Sequence, residues 1–361
     1  MNCETELTMP NNNNPRRDGA RIDLAEAHDL LSAYLSERLA GGRVVIERSE
    51  RLSGGAIQEN WLLEARVDDG RAQTRRRWVL RTDAASAVAV SMSREQEFAV
   101  LSAAHRAGVQ VPQPLWLCRD PRVIGRDFFV MEALAGTASG YRLTTDRALE
   151  EKRGALCAQL GANLARLHRI RPPQPGLEFL PAPVSDAVQA SVDQYRRFLD
   201  ALPGSQPVLE WGLRWCEVHK PAPLEPCLIH RDYRTGNYLV DDGVLTGVLD
   251  WEFAGWGDPR EDLGWFSARC WRFGRPDLEA GGIGRLADFL AGYRSVSGLE
   301  LSGEELVFWQ VMAHLRWAVI ALQQAERHLS GQQRSLELAL TGRLVPELEY
   351  EILALTSGGQ P

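Results

Sequence analysis

The sequence predicts an α+β protein with two lobes, a small and mostly antiparallel β lobe followed by a larger, mostly helical lobe. The chain has 361 residues, which is long for one compact domain and suits two lobes that share one site. Strand-like segments are concentrated between about residues 43 and 132, whereas helical periodicity dominates the later part. Hydrophobic residues make up 44% of the chain and charged residues 25%, which is typical of a globular protein.

The N-terminal segment 1–18 is polar and is predicted to be a disordered tail without the apolar run of a signal peptide. The first lobe, predicted to span residues 19–132, begins with a helix over 22–39. Apolar residues recur there at helical spacing, and Gly41 and Gly42 end the pattern. The sheet of this lobe is therefore preceded by a leading helix.

The sheet of the first lobe is predicted to contain five strands and one inserted helix. The expected strands are 44–52, 61–67, 78–81, 115–117 and 128–131. The expected helix is 93–106, because Phe98, Leu101 and Ala104 share one face of it and Pro112 ends it. Short, turn-rich segments join the first three strands, so these strands are expected to be antiparallel.

Residues 133–361 are predicted to form the second, helical lobe. The expected helices are 148–170, 184–202, 208–219, a helix after Pro259, 306–329 and 333–355. Three short buried strands interrupt them at 228–229, 238–240 and 244–249. The chemically distinctive residues of the chain cluster around these three strands.

Composition excludes several classes of protein. A net charge of −7 argues against a nucleic-acid partner. The six cysteines form no C-x-x-C pair and accompany no histidine cluster, which predicts reduced thiols in the cytoplasm and no structural zinc. No run of about 18 apolar residues is present, so no membrane span is expected. The expected partner is a small molecule bound by a monomer or homodimer.

The segment His230–Asn237, with Asp250 after two strands, carries the groups that phosphoryl transfer requires. This reaction needs an acceptor oxygen in line with the phosphorus and the leaving oxygen. It also needs a group that takes or orients the proton of the acceptor, and a divalent metal that neutralises phosphate charge. The amide oxygen of Asn237 and the carboxylate of Asp250 suit Mg²⁺, which leaves Asp232 as the base. An isolated H-x-D often only caps a turn, but five matched positions between strands favour a catalytic site.

This segment resembles the catalytic loop of the protein-kinase-like superfamily, H-x-D-x-x-x-x-N followed by a metal-binding Asp. The resemblance implies a protein-kinase-like fold, ATP and Mg²⁺ as cofactors, and a phosphate contact for Arg234, while His230 is expected to be structural. Asp250-Trp251-Glu252 and Gly257-Asp258-Pro259 resemble the aminoglycoside phosphotransferase and choline kinase branch, closest to domains associated with acyl-CoA dehydrogenases. The likeness covers roughly residues 40–350.

The resemblance also implies nucleotide contacts in the first lobe. Gly54 and Gly55 match the loop that covers the phosphates, although two glycines between strands are equally typical of a plain hairpin turn. No lysine precedes Lys152, so Arg81 takes the place of the usual strand lysine, as in the acyl-CoA-dehydrogenase-associated branch. Arginine keeps its charge and binds phosphate with two donors, which makes this exchange chemically reasonable.

Three further positions complete the predicted nucleotide site. Glu97 is preferred to Glu95 as the partner of Arg81, because it matches the helix register of the family. Met131 and Ala133 lie in the segment that resembles the hinge beside the adenine ring. Outside this site, Asp258 is expected to cap a helix and Asp262 to brace the catalytic loop.

These observations predict an ATP- and Mg²⁺-dependent kinase of a small hydroxylated molecule. A hydroxyacyl-CoA or related thioester is the sharpest hypothesis for the acceptor, because of the likeness to domains associated with acyl-CoA dehydrogenases. Phosphorylation of an aminoglycoside or another antibiotic is the alternative activity. A nucleotide-binding pseudokinase is the alternative without catalysis. A protein kinase is disfavoured, since no Asp-Phe-Gly follows the loop.

Overall fold

The computed structural model describes residues 24–39, 42–52, 58–83, 92–184 and 186–357. The strands are β1 Arg43–Arg51, β2 Gln58–Asp68, β3 Gln73–Asp83, β4 Pro114–Cys118, β5 Phe128–Glu132, β6 Cys227–Ile229, β7 Tyr238–Asp241, β8 Val244–Val248 and β9 Gly255–Gly257. The helices are α1 His28–Arg38, α2 Arg94–Arg106, α3 Pro121–Ile124, α4 Gly140–Thr145, α5 Arg153–Leu167, α6 Ala187–Asp200, α7 Pro207–Val218, α8 Arg260–Ser267, α9 Leu286–Ser297, α10 Gly303–Leu329, α11 Leu336–Gly342 and α12 Val345–Thr356. The predicted disordered tail 1–18 lies outside the described residues.

Strands β1 to β5 form one sheet in the order β1-β2-β3-β5-β4. β2 pairs antiparallel with β1 on one side and with β3 on the other. Leu63, Ala65 and Val67 alternate along β2 and are buried, because successive side chains of a strand point to opposite faces of the sheet. The predicted α+β class, with a small antiparallel sheet and many helices, is confirmed.

The chain divides into two compact units, residues 1–90 with 118–128, and residues 91–117 with 129–361. In the first unit, α1 lies along β1 and buries Leu31 and Leu35. Two serines of α1 accept hydrogen bonds from the backbone of β1, Ser36 Oγ from Val44 N at 2.8 Å and Ser32 Oγ from the N–H of the buried Ile46 at 3.0 Å. The predicted lobe boundary at residue 132 stays a prediction.

The second unit contains the helical core. Helices α6, α7, α10 and α12 meet around buried apolar side chains. Those that are almost fully enclosed include Phe308, Trp309, Val311, Leu315, Leu213 and Ile352. Burial of this kind supplies most of the stability of amphipathic helices.

Helices α5 and α9 approach each other closely through two glycines. A Cβ atom added at Gly161 would lie 2.0 Å from the backbone oxygen of Phe289, and one added at Gly292 would lie 2.1 Å from that of Ala158. No side chain fits at such distances. The two glycines therefore set how near the helices pack.

Two of the expected helices are divided. The segment predicted as a helix over 148–170 is a 3₁₀ helix at Arg147–Lys152 followed by α5 at Arg153–Leu167. The helix predicted over 333–355 is two helices, α11 and α12. Pro346 lies in the first turn of α12. Proline lacks a backbone N–H and clashes with the preceding turn of a helix, so it begins a new helix here instead of continuing the old one.

Helix α10 is, within the part of the chain that the structure describes, the one helix with the length and apolar composition to cross a membrane. Of its apolar window, 56% is buried inside the protein. It packs against α7, α8 and α12 of the same unit.

Candidate active site

The loop 230–237 connects β6 to β7, and the carboxylate of Asp262 on α8 holds its beginning. Asp262 Oδ2 accepts the backbone N–H of His230 at 2.7 Å, and Oδ1 accepts that of Arg231 at 2.7 Å. Arg231 has φ of 63°, a left-handed conformation that is unusual for a residue with a side chain. The predicted bracing role of Asp262 is confirmed.

Asp262 is fully buried and has a second set of partners. His168 Nε2 donates to Asp262 Oδ2 at 3.1 Å, and His168 Nδ1 lies 2.8 Å from the hydroxyl of Tyr293. Burial alone would raise the pKa of Asp262, but the hydrogen bonds that the carboxylate accepts from the His168 side chain and the His230 backbone outweigh it and hold this pKa below its ordinary value. The carboxylate is therefore ionised at neutral pH and remains an acceptor.

His230 is structural in the sense expected. Its Nε2 donates to the backbone oxygen of Leu249 at 2.9 Å, and its Nδ1 accepts the backbone N–H of Asp232 at 3.2 Å. A carbonyl oxygen can only accept and a backbone N–H can only donate, so these two contacts fix the neutral tautomer with hydrogen on Nε2. The ring thereby ties the loop to the strand end before Asp250.

Asp232 lies at the centre of the site with three side-chain donors around it. Its Oδ1 accepts from Trp265 Nε1 at 3.0 Å and from Arg234 Nε at 3.0 Å. Its Oδ2 accepts from Asn237 Nδ2 at 2.5 Å. The residue is 8% exposed, so the carboxylate is nearly enclosed and yet reaches the surface of its unit. This environment suits a base that must be held in one orientation.

Asn237 and Asp250 lie at the same end of the β7–β8 hairpin. Tyr238 of β7 is opposite Val248 of β8, and the backbone N–H of Leu249 donates to the oxygen of Asn237 at 2.8 Å. The two predicted metal ligands, Asn237 and Asp250, are therefore neighbours across the hairpin. Asp250 has φ of 66°, which places it beyond the regular strand.

The orientation of the Asn237 amide suits a metal ligand. Its Nδ2 donates to the backbone oxygen of Asp232 at 3.0 Å as well as to the carboxylate, so both acceptors face the nitrogen. The Oδ1 atom is therefore left as an oxygen donor of the type that Mg²⁺ prefers. Within the described residues no group of three or more His, Cys, Asp or Glu side chains is arranged around a metal. A divalent cation here would thus rest on Asn237, Asp250, water and phosphate oxygens.

Trp265 contacts the predicted base Asp232, which was not expected from the sequence. It is 3% exposed, and the sequence favours a plain core role for such a tryptophan. One pattern pointed to it, because Trp265 follows Asp262 by three residues on α8 and so lies on the same helix face. Because Asp262 contacts the loop 230–237, Trp265, which lies on the same helix face, contacts this loop as well.

Arg316 lies over the ring of Trp265, and Glu261 lies near both Arg316 and Arg231. The guanidinium carbon of Arg316 lies 4.5 Å from the centre of the Trp265 ring. Arg316 donates to the backbone oxygen of Arg231 and lies 3.6 Å from Glu261 Oε1, while Arg231 Nε lies 3.8 Å from the same oxygen. Burial raises the pKa of Glu261, and the two arginines oppose this rise.

Arg234 lies beside the base. Besides its contact with Asp232, its guanidinium carbon lies 4.5 Å from the centre of the Trp271 ring. This cation–π contact fixes a side chain that otherwise has many rotamers. Arg234 is thus restrained beside the group whose reaction it was predicted to assist.

The predicted nucleotide residues are distributed over both units. Arg81 is buried on β3 of the first unit and donates to Asn60 Oδ1 at 3.3 Å. Gly54 and Gly55 lie outside the described residues. Met131 is buried at the end of β5 in the second unit, and Ala133 is half-buried just beyond it. The nucleotide roles of these residues stay predictions.

Glu97 is buried and Glu95 is exposed, which distinguishes the two candidates on α2. Glu97 forms an ion pair with Arg94 of the same helix, and Arg94 also donates to the backbone oxygen of Met92 at 2.9 Å. Arg94 was not expected as a partner of Glu97 from the sequence. The predicted pairing of Glu97 with Arg81 stays a prediction.

Asp258 has the structural role that was expected of it. Its carboxylate accepts the backbone N–H of Arg260 at 3.0 Å at the start of α8 and the backbone N–H of Leu224 at 3.2 Å. It also pairs with the guanidinium of Arg260 at 2.7 Å, and both side chains are buried. Asp258 thus anchors the beginning of the helix that carries Asp262 and Trp265.

Comparison with known proteins identifies what this chain is similar to. The family model described as the phosphotransferase enzyme family matches residues 49–299. Acyl-CoA dehydrogenase family member 10 of Mus musculus is 26% identical over 269 residues, a match that covers 70% of this chain and 25% of that protein. The chain thus spans only about a quarter to a third of the length of such relatives.

Two solved structures share the fold. A "putative aminoglycoside phosphotransferase" from Ralstonia eutropha JMP134 is 20% identical with a TM-score of 0.71, covering 94% of this chain and 100% of that one. Spectinomycin phosphotransferase in complex with ADP and spectinomycin is 13% identical with a TM-score of 0.59, covering 91% and 98%. The predicted two-lobed, kinase-like fold is therefore confirmed, and so is the resemblance drawn from the sequence.

Proposed function

Because this chain belongs to the phosphotransferase enzyme family, we propose that it transfers the γ-phosphate of ATP to a hydroxyl group of a small molecule. The prediction of a phosphotransferase is confirmed by the family. The finer proposal is supported chiefly by one observation, the buried Asp232 carboxylate held by Trp265, Arg234 and Asn237. This arrangement suits the group that orients an acceptor hydroxyl.

In the proposed reaction, the acceptor oxygen attacks the γ-phosphorus as the bond between that phosphorus and the β,γ-bridging oxygen breaks. ADP leaves, and the hydroxyl proton passes to the carboxylate of Asp232. Arg234 lies next to that carboxylate and offers its remaining N–H groups to the transferred phosphate oxygens. Arg81 is proposed to contact the phosphates of the nucleotide.

The proposed metal ligands are Asn237 Oδ1 and the Asp250 carboxylate. Bound Mg²⁺ supplies positive charge that neutralises the phosphate oxygens. The protein contributes the orientation of the ligands, since Asp232 turns the Asn237 amide and the hairpin places Asp250 beside it. Asp232 therefore acts twice, as the base and as the residue that orients a metal ligand.

A hydroxylated acyl thioester or a related hydroxy acid is the proposed acceptor class. The charges next to Trp265 support this choice, because the negative charge of Glu261 lies close to two positive charges, those of Arg231 and Arg316. A polycationic acceptor is expected to need a surplus of carboxylates there, whereas an acceptor rich in oxygen atoms suits guanidinium donors. The curated relatives carry acyl-CoA dehydrogenase names, which agrees with this class.

Antibiotic phosphorylation is the second candidate, and one observation favours it. The spectinomycin phosphotransferase, solved with ADP and spectinomycin, shares the fold over 91% of this chain. Fold alone does not select an acceptor. The two candidate functions differ in the acceptor that they phosphorylate, so an assay with several acceptors distinguishes them.

The test is ATP consumption with a panel of acceptors, comprising hydroxyacyl-CoAs, free hydroxy acids, choline, spectinomycin and kanamycin. We expect turnover with a hydroxyacyl-CoA and none with the aminoglycosides. Asp232→Asn should lower kcat by about a hundredfold or more, because the amide keeps the shape and cannot take the proton. Asp241→Asn, an exposed neighbour on β7, is the matched control and should leave kcat unchanged.

Two outcomes contradict the proposal. If no acceptor in the panel stimulates ATP consumption and MgATP does not raise the melting temperature, the protein is not a kinase of this kind. Near-normal turnover by Asp232→Asn would instead remove Asp232 from the role of base.

A further inference from the structure

The indole N–H of Trp265 donates a hydrogen bond to Asp232, the proposed base. We infer that Trp265 is a positioning residue for the transfer, since its N–H and Arg234 together occupy Oδ1 of Asp232 and reserve Oδ2 for the acceptor hydroxyl. This inference rests on the proposed function. It assigns a role to one side chain and to one particular oxygen of the carboxylate.

The inference follows from the number of acceptor sites on a carboxylate. Each oxygen of an ionised carboxyl group has about two lone pairs that accept hydrogen bonds. Oδ1 accepts from Trp265 Nε1 and from Arg234 Nε, each at 3.0 Å, so its lone pairs are used. Oδ2 accepts from Asn237 Nδ2 alone among the described residues. One lone pair of Oδ2 is therefore left for the hydroxyl that reacts.

Trp265 is itself held from several sides, which a positioning role requires. The Arg316 guanidinium lies over one face of its ring at 4.5 Å from the centre. The Trp271 ring packs against it with centres 5.0 Å apart and planes at 52°. Its helix, α8, is anchored to the same loop through Asp262. The indole N–H thus approaches Asp232 from a fixed direction.

Packing alone is the competing explanation of this contact. A buried indole N–H normally finds a hydrogen-bond partner, and Asp232 would then serve only to satisfy it. Under that explanation, loss of the N–H lowers stability and leaves the reaction unchanged. Under the positioning role, the carboxylate gains freedom to rotate, and the chemical step slows while nucleotide affinity is kept.

The experiment compares Trp265→Phe with Trp309→Phe in the full chain. Trp309 is 1% exposed and its Nε1 has no hydrogen-bond partner among the described residues. Both changes therefore remove a similar volume from the interior of the same unit, but only Trp265→Phe removes a hydrogen bond to Asp232. ATP consumption would be measured at fixed times with MgATP and 3-hydroxybutyryl-CoA, and with MgATP alone. The melting temperature of each variant would be measured by thermal unfolding.

We expect Trp265→Phe to lower kcat about tenfold or more, the effect of one hydrogen bond to a charged group, with KM for ATP unchanged within about twofold. Trp309→Phe should lose a similar number of degrees in melting temperature and keep its kcat. Equal kcat for the two variants would overturn the inference. A wild-type protein that consumes no ATP with any acceptor would instead overturn the proposed function itself.

A readout that does not depend on turnover keeps the inference testable if Trp265→Phe fails to fold. The indole ¹H–¹⁵N resonance of Trp265 is observed in the wild-type protein and in Asp232→Ala. We expect its position to change more than that of any other indole when the carboxylate is removed. An unchanged resonance would show that the hydrogen bond between Trp265 and Asp232 is absent in solution and would contradict the inference.

Discussion

Among single residues, one buried carboxylate holds the start of the loop 230–237. Asp262 accepts two consecutive backbone N–H groups and the ring of His168. Asp262→Asn keeps the shape but turns an NH₂ group toward one of these donors. We expect a loss of about 2–3 kcal/mol in the free energy of unfolding, measured by urea denaturation at pH 7. Asp200→Asn, at an exposed site, is the control and should change little.

The same residue has a predictable pH dependence. The pKa of Asp262 is held below 3.8 in the folded protein, so its stabilising contribution is complete above the ordinary pKa and is lost as pH falls through the lower, folded value. The stability difference between wild type and Asp262→Asn should therefore shrink as pH falls from about 5 to below about 4. A difference that grew over this acidic range would contradict the assigned direction.

At the element scale, glycines on α5 decide how that helix packs. A Cβ at Gly161 would meet the backbone of α9 at 2.0 Å, whereas a Cβ at Gly154 would meet a side-chain oxygen of Asp288 at 3.4 Å. Gly161→Ala should therefore destabilise the protein by about 1–3 kcal/mol or more through overpacking. Gly154→Ala, on the same helix, should be neutral or slightly stabilising, since alanine is the better helix former. Thermal unfolding of both variants checks this, and equal melting temperatures would refute the close approach.

The elements were more predictable from the sequence than the contacts between them. Hydrophobic periodicity is local, so α2, α10 and the strands of the sheet fell close to their expected ranges. The split between α11 and α12 was missed because Pro346 was not weighed against the apolar pattern on either side. Asp232, Asn237 and Asp250 could be proposed from the sequence because they lie in one short segment, and their roles stay predictions. Trp265 was missed because its contact with Asp232 joins residues 33 positions apart, and spacing along the chain does not encode that contact.

At the scale of the whole molecule, ligand binding adds to the stability of the folded state. Anything that binds the folded chain and not the unfolded one stabilises it by about 2.7 kcal/mol at one hundred times its Kd. MgATP should therefore raise the melting temperature by several degrees. Removing the metal with EDTA at constant ATP should cancel most of that rise, because nucleotide phosphates bind poorly to the carboxylate of Asp250 without a cation between them.

The variant that tests whether Asp250 binds the metal must not disturb the backbone. Asp250 has φ of 66°, a conformation that asparagine tolerates better than most residues, so Asp250→Asn is preferable to Asp250→Ala. We expect Asp250→Asn to melt at nearly the wild-type temperature without ligand and to show the same small shift with ATP whether or not Mg²⁺ is present. Asp241→Asn, at an exposed site on β7, is the matched control and should keep the Mg²⁺-dependent shift. A full MgATP shift in Asp250→Asn would remove Asp250 from the metal site and leave Asn237 as its remaining proposed protein ligand.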